Sequence, residues 1–235
     1  MLLNNSKVFE GCFNPRIRFT RVEWETIIFS HLDASQPGDR MMRCVARASD
    51  FIRRGKAALS DVTTDPALVG DMRENYEVLR SILPESRVRL ADLEASGEIK
   101  SSTSYFSTEM QIYTVHQRLY GLVLAVGIML NLTLSSLDIV NKARLKAESE
   151  EFVVEILSIW QNIANYKPIG SVCLQVYLNM AWAGTSSATL RQEIEKILEE
   201  LEAEFVIGSL PRTTYEELVE MENHLRLQAV AAYDN

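Results

Sequence analysis

The sequence predicts an all-α protein, a multihelical bundle of about eight helices around a buried central apolar helix. Three observations support this prediction. Apolar residues recur at spacings of three and four along most of the chain, which is typical of amphipathic helices. Alternating apolar and polar runs joined by hairpin turns, which would indicate β-strands, are nearly absent. Finally, residues 119–137 form a run of nineteen positions without a charged side chain.

The size and composition of the chain fit an ordinary globular protein. Its 235 residues are 47% apolar and 24% charged, and a chain of this length buries a sizeable core. We expect one helical domain, 1–235, either undivided or in two lobes, 1–95 and 108–235, joined by the polar, serine-rich linker 96–107. The formal net charge of −8 argues against nucleic-acid binding by the chain as a whole, because phosphate contacts need a basic surface.

Local signals place the first helices. Segment 20–33 begins with Thr20 three residues before Glu23, a capping-box pattern, and a proline and a glycine follow it at 37–38. Segment 39–59 is predicted to be a helix with an apolar face. This face is formed by Met42, Val45, Ser49 and Ile52.

The next helix is predicted over 65–84. Asp65 is its expected N-cap, and Pro66 stands at the first helical position, where a missing N–H costs nothing. Pro84 is expected to end it, and a shorter helix is expected over 88–95. The apolar stripe of the 65–84 helix is formed by Leu68, Met72, Tyr76, Leu79 and Leu83.

Four more helices are expected after the central one. They cover 141–166, 171–184 (with Gly184 as C-cap), 188–205 and 214–232. The 141–166 stripe comprises Phe152, Ile156, Ile159, Trp160 and Ile163. The 188–205 stripe comprises Leu190, Ile194, Ile197, Leu198, Leu201 and Phe205. Arg191 and Glu195 can pair on its polar side.

The uncharged run 119–137 has two interpretations. It has the length of a membrane-spanning helix, but Asn131, Thr133, Ser135 and Ser136 make its last third polar, and it lacks a second apolar segment and flanking tryptophans. The other interpretation is a core helix that is apolar on all sides because neighbours cover all sides. Gly121 and Ala125, four residues apart, would let such a neighbour approach closely. The amphipathic helices elsewhere favour the core helix and no membrane partner.

Catalytic and metal-binding motifs are not found in the sequence. Cys12, Cys44 and Cys173 are far apart, so they indicate neither a disulfide framework nor a zinc site. His31, His116 and His224 each lack a second ligand at metal-binding spacing. Glutamate pairs such as Glu150 with Glu151 lie on charged helix faces, and phosphate-loop and nucleophile motifs are missing. We therefore expect no catalytic, cofactor-binding or metal-binding residue and no cofactor.

Two features leave a binding role open. The basic run IRRGK, 52–56, is either an acidic-partner or import patch or the polar side of a helix, and the second is favoured. Several aromatic side chains near the centre would line a cavity if their helices face one another, although aromatic residues at helical spacing more often form plain core. This set comprises Tyr113, His116, Tyr120, Trp160, Tyr166, Tyr177 and Trp182.

The second half of the chain resembles a known family. "MQIYTVHQRLYGLVLAVGIMLNLTLSSLD", "ESEEFVVEIL", "ANYKPIGSVCLQVYLNMAWAGT" and "LRQEIEKILEELEAEF" follow one another in this order. Together they resemble the C-terminal helical regulatory region of fungal zinc-cluster (Zn2Cys6) transcription factors, over about 110–205. Residues 38–95 fit the preceding part of such proteins loosely.

The resemblance implies regulation without DNA reading. Proteins of this family bind DNA through six closely spaced cysteines that hold two zinc ions, whereas this chain has three scattered cysteines. What it implies is a nuclear or cytoplasmic, non-enzymatic helical domain that contacts protein partners or a small-molecule effector and has no DNA-binding module of its own. The contact residues and the oligomeric state stay open. The alternative is an all-α small-ligand-binding protein or enzyme with an aromatic-lined pocket.

Overall fold

The structure is a computed structural model that describes residues 21–23, 26, 29–33, 37–60, 66–95, 107–163 and 171–204. Within these residues lie six long helices, and there is no strand, so the predicted all-α class is confirmed. Short helical turns also occur at Arg21–Glu23, Phe29–His31 and Ile139–Asn141. The long helices are α1 Pro37–Ser60, α2 Pro66–Ala95, α3 Thr108–Leu137, α4 Lys142–Ile163, α5 Ser171–Gly184 and α6 Ala188–Glu204.

The central helix is α3. Residues 120–131 are all buried, and α1, α2, α4 and α5 pack against it, while α6 packs against α5. Ser107 caps its start, where the Oγ atom accepts a hydrogen bond from the Met110 amide at 3.2 Å. By length and composition α3 is able to cross a membrane, but 83% of its most apolar window is buried inside the protein. This burial is that of a core helix, as the sequence favoured.

The predicted helix count of about eight is not matched. One reason is α2, which runs through Pro84 to Ala95, so a helix end at Pro84 and a separate helix over 88–95 were wrong. Proline lacks the N–H that would bond the carbonyl group of Arg80. Buried Leu83 and Leu90, on either side of Pro84, pack into one core and keep the helix continuous. The predicted 214–232 helix and the linker residues 96–106 lie outside the described residues.

The predicted apolar stripes are largely buried. Every predicted stripe residue of α2 is buried, as are those of α4 up to Trp160. In α6 the buried members are Ile194, Ile197 and Leu201, with Leu190 and Leu198 half-buried. The face predicted for α1 is slightly misplaced, since Met42 and Ser49 are half-buried. The buried side of α1 includes Met41, Cys44, Val45, Ala48, Phe51 and Ile52.

Close approach to α3 depends on glycine. A Cβ atom on Gly121 would lie 2.6 Å from Cε2 of Tyr177 on α5, and the Tyr177 hydroxyl donates to the carbonyl oxygen of Arg118 at 2.8 Å. The expected neighbour at Gly121 is therefore α5. Further along α3, a Cβ atom on Gly55 of α1 would overlap the Thr133 methyl group. Helices α5 and α1 therefore lie nearer to α3 than alanine at Gly121 or Gly55 would permit.

The end of α3 is fixed by Asp138. Its amide donates to the Leu134 carbonyl at 2.6 Å, and its carboxylate accepts from Arg73 of α2 at 2.5 Å and from the Asn141 side chain at 2.8 Å. Burial alone would raise the pKa of Asp138, but the hydrogen bonds from Arg73 and Asn141 outweigh it, and the pKa is lowered. Asp138 thus ties the turn between α3 and α4 to α2.

Replacing Gly121 with alanine is expected to destabilise the protein by about 1–2 kcal/mol. Overpacking costs about 1–3 kcal/mol, which outweighs a helix-propensity gain of up to about 1 kcal/mol. Gly70→Ala is the matched control, because a Cβ atom there meets nothing within 4 Å and only the propensity gain applies. Urea unfolding measures both variants, and a Gly121→Ala protein as stable as Gly70→Ala would contradict the packing.

Asp138→Asn is expected to lower stability by about 1–3 kcal/mol at neutral pH, because it removes a charged hydrogen bond to Arg73. Because the Arg73 side chain is 47% exposed and water screens its charge, the loss of stability should fall near the lower end of this range. Since the folded-state pKa is lowered, the stabilisation is complete above the unfolded-state pKa of about 3.9 and is lost as pH falls below it. Unfolding between pH 7 and pH 3 tests this, with exposed Asp92→Asn as the charge control. A penalty equal at both ends of this range would contradict it.

Candidate functional site

An open groove of about 720 Å³ lies between α2 and α4, with α3 as its floor. This volume lies within the range of small-molecule sites. The side chains along it are mixed, with four glutamates and one arginine beside apolar residues. The groove is lined by Arg87, Leu90, Ala91, Glu94, Gln117, Tyr120, Glu150, Glu151, Val154, Glu155, Ser158, Ile159 and Asn162.

Tyr120 on the groove floor is joined to both walls. Its hydroxyl donates to the Glu155 carboxylate of α4, and Nε of Arg87 on α2 donates to the same hydroxyl at 3.3 Å. Arg87 also forms an ion pair with Glu155. Burial and the hydrogen bond to Glu155 raise the pKa of Tyr120 far above its ordinary value. The phenol is therefore a neutral hydrogen-bond group, whereas proton transfer needs a pKa near the working pH.

A second polar set lies one step further along the groove. The Tyr113 hydroxyl donates to Glu94 at 2.8 Å and accepts from Gln117 at 3.1 Å. Asn162 of α4 donates to the same Glu94 oxygen at 3.3 Å. The two tyrosines are seven residues apart on α3, so they lie on one side of the helix about two turns apart.

A third polar set lies in the other direction and is more deeply buried. The Tyr76 hydroxyl donates to Glu148 at 2.7 Å and accepts from Asn131 at 3.0 Å. Arg80 and Arg144 approach the other Glu148 oxygen at 3.4 and 3.3 Å. Burial, then the hydrogen bond to Glu148, raises the pKa of Tyr76 well above its usual range.

The three sets form one regular arrangement, which we call the polar ladder. Its rungs are Arg80–Glu148, Arg87–Glu155 and Glu94–Asn162, and the two partners are 68 positions apart in every rung. Successive rungs are seven residues apart on both helices, or about 10.5 Å. Helices α2 and α4 therefore run parallel in fixed register on either side of α3.

The aromatic residues for which a shared cavity was left open are distributed over several places. Tyr120 lines the groove, and Tyr113 bonds to two groove residues. Tyr177 packs against Gly121 instead. The indole N–H of Trp182 donates to Glu195 at 2.8 Å, and the guanidinium group of Arg191 lies 4.7 Å from its ring. Trp160 is buried and His116 half-buried, while Tyr166 lies outside the described residues.

The structure describes some of the remaining sequence candidates. In the basic run 52–56, Arg53 and Arg54 pair with Asp50 on their own helix. Cys44 is a buried free thiol, and burial raises its pKa to about 11, so it stays protonated at neutral pH. His31 is exposed, and Cys12 and His224 lie outside the described residues. Among the described residues, no group of three or more His, Cys, Asp or Glu side chains is placed to hold a metal ion.

No protein-family model, curated protein or solved structure matches this chain. The resemblance to zinc-cluster factors therefore stays a prediction, and the function must be argued from the groove itself.

Tyr120→Phe is expected to cost about 1–3 kcal/mol of stability, because it removes the hydroxyl that joins Glu155 to Arg87. A double-mutant cycle with Glu155→Ala, measured by urea unfolding, tests this contact directly because alanine has no side-chain acceptor. We expect a coupling energy of about 0.5–3 kcal/mol between the two positions. Strictly additive effects would show that the two side chains do not interact in solution.

Proposed function

We propose that this chain is a non-enzymatic regulatory domain, of the helical type found in fungal zinc-cluster transcription factors, that binds an effector or protein partner through the α2–α3–α4 groove. On this proposal it acts in the nucleus or cytoplasm. The groove is the observation that carries this proposal. Its walls are tied to its polar floor through Tyr120, and its volume of about 720 Å³ lies in the range of small-molecule sites.

The chemistry of the groove defines the ligand class. Four glutamates and one arginine give its lining a negative charge. Burial alone would raise the pKa of Glu150, but hydrogen bonds from Thr185 and Ser186 lower it overall, so this carboxylate is ionised at neutral pH. Val154 on the rim is 55% exposed. A ligand or partner segment with an apolar body and a cationic group matches this lining.

The segments behind the family resemblance contact one another. Thr185 of "AWAGT" donates to Glu150 of "ESEEFVVEIL" at 2.5 Å. Arg191 of "LRQEIEKILEELEAEF" donates to the Thr185 carbonyl at 2.9 Å. These contacts join α4, α5 and α6 around one turn, so the described parts of these three segments pack together. This coherence supports the proposal that they belong to one regulatory region.

The alternative, an all-α small-ligand carrier or enzyme, is favoured by one observation. Tyr120 and Gln117 place polar groups at the base of a groove whose walls also carry the apolar side chains Leu90, Val154 and Ile159, and a concave site with a few polar groups is typical of small-molecule binding. The two functions differ in their readout. A regulatory domain alters transcription when it is tethered to a promoter, whereas a carrier or enzyme does not.

The test is a tethered reporter. We expect the whole chain, fused to an unrelated DNA-binding domain in a fungal reporter strain, to change reporter output. Val154→Arg, which blocks the groove rim, should reduce that change roughly fivefold or more, the effect of about 1 kcal/mol on binding. Val140→Arg is the matched control, because Val140 is 92% exposed and lies outside the groove.

Two outcomes would count against the proposal. Equal reporter output from the Val154→Arg and Val140→Arg fusions would remove the groove from the function. No effect of the wild-type fusion would favour the carrier or enzyme instead, and thermal-shift screening with cationic apolar compounds would then follow.

A further inference from the structure

A second cavity, of about 200 Å³, lies between α1 and α2, away from the groove. Phe29 and Phe51 supply its aromatic wall, and four arginines of α1 face two carboxylates of α2 across it, while Asp50 lies on α1 itself. Its lining comprises Phe29, Arg40, Arg43, Cys44, Arg47, Asp50, Phe51, Arg54, Asp71, Glu74, Asn75 and Val78.

The arginines of this cavity are held in place by other contacts. One terminal nitrogen of Arg43 donates to the carbonyl oxygens of Phe29 and Leu32 at 2.9 and 2.8 Å. The guanidinium groups of Arg43 and Arg47 lie 5.4 and 5.6 Å from the Phe29 ring centre, within range of a cation–π interaction. The cationic groups are therefore positioned before any ligand arrives.

Two buried donors in the cavity lining have no acceptor. The Nε atoms of Arg40 and Arg43 are both buried and form no hydrogen bond. Unpaired buried donors are rare in proteins because they lose their water without replacement. The carboxylates of the lining do not fill this role. Asp50 is committed to Arg53 and Arg54, and Asp71 and Glu74 are exposed.

We propose that this cavity binds a small dissolved oxyanion, either a phosphate or a carboxylate. Guanidinium groups bind both ions through paired, charge-assisted hydrogen bonds. The cavity volume equals that of several water molecules at about 30 Å³ each, so a phosphate or carboxylate ion fits inside it. This site is distinct from the groove of the proposed function in its residues and in the charge of its ligand.

Isothermal titration of the whole chain with inorganic phosphate and with succinate tests the proposal, with sodium chloride at matched ionic strength as the reference. We expect saturable binding of at least one oxyanion, weakened roughly tenfold or more by Arg40→Gln. Arg89→Gln is the charge-matched control, because Arg89 is an exposed residue of α2 outside the cavity. It should leave the dissociation constant unchanged.

Folding of each variant is checked by its thermal unfolding midpoint without added anion. If Arg40→Gln fails to fold, Arg47→Gln takes its place, since Arg47 is exposed. The absence of saturable binding, or equal weakening by Arg40→Gln and Arg89→Gln, would overturn the proposal. Val154→Arg, which alters only the groove, should not change anion binding, so failure here is separable from failure of the proposed function.

Discussion

The burial of α3 is the constraint on which the rest of the structure depends. A helix that is apolar on every side has no face to offer to water, so other helices must cover it completely. Here α1, α2, α4 and α5 do so, and the middle of α3 is fully enclosed. Gly121 lets α5 approach, and Gly55 does the same for α1. The polar side chains of α3 must then find partners inside this shell, because an unpaired buried polar group is costly.

The polar ladder is the consequence of that requirement. Tyr76 reaches Glu148 and Asn131, and Tyr120 reaches Glu155. Ion pairs of this kind contribute little net stability, but breaking one leaves a charge without its partner. A shift of α4 by one residue against α2 would separate all three rungs at once. The ladder therefore acts chiefly on register, and register determines the shape of the groove between the two helices.

The sequence predicts the apolar part of this structure better than its polar part. Helical periodicity identifies the all-α class, the central helix and the stripes of α2, α4 and α6, because burial of apolar area dominates folding. The helix end predicted at Pro84 was wrong, because local propensity does not reveal that α2 packs against α3 on both sides of this proline. The polar ladder was not predicted from the sequence, although the seven-residue spacing of its α2 members is present there at Arg80, Arg87 and Glu94. Without the pairing of α2 with α4, that spacing is indistinguishable from a solvated helix face.

Helix α2 supplies one wall to each of the two sites. Its residues 71, 74, 75 and 78 line the cavity, and residues 87, 90, 91 and 94 line the groove. Each set has the three- and four-residue spacing of a single helix face. From 78 to 87 is nine residues, or about two and a half turns, so the two faces point in opposite directions. Pro84 falls between them, on the exposed side. Because packing against α3 keeps the helix continuous there, one element presents an arginine-rich cavity towards α1 and an acidic groove towards α4.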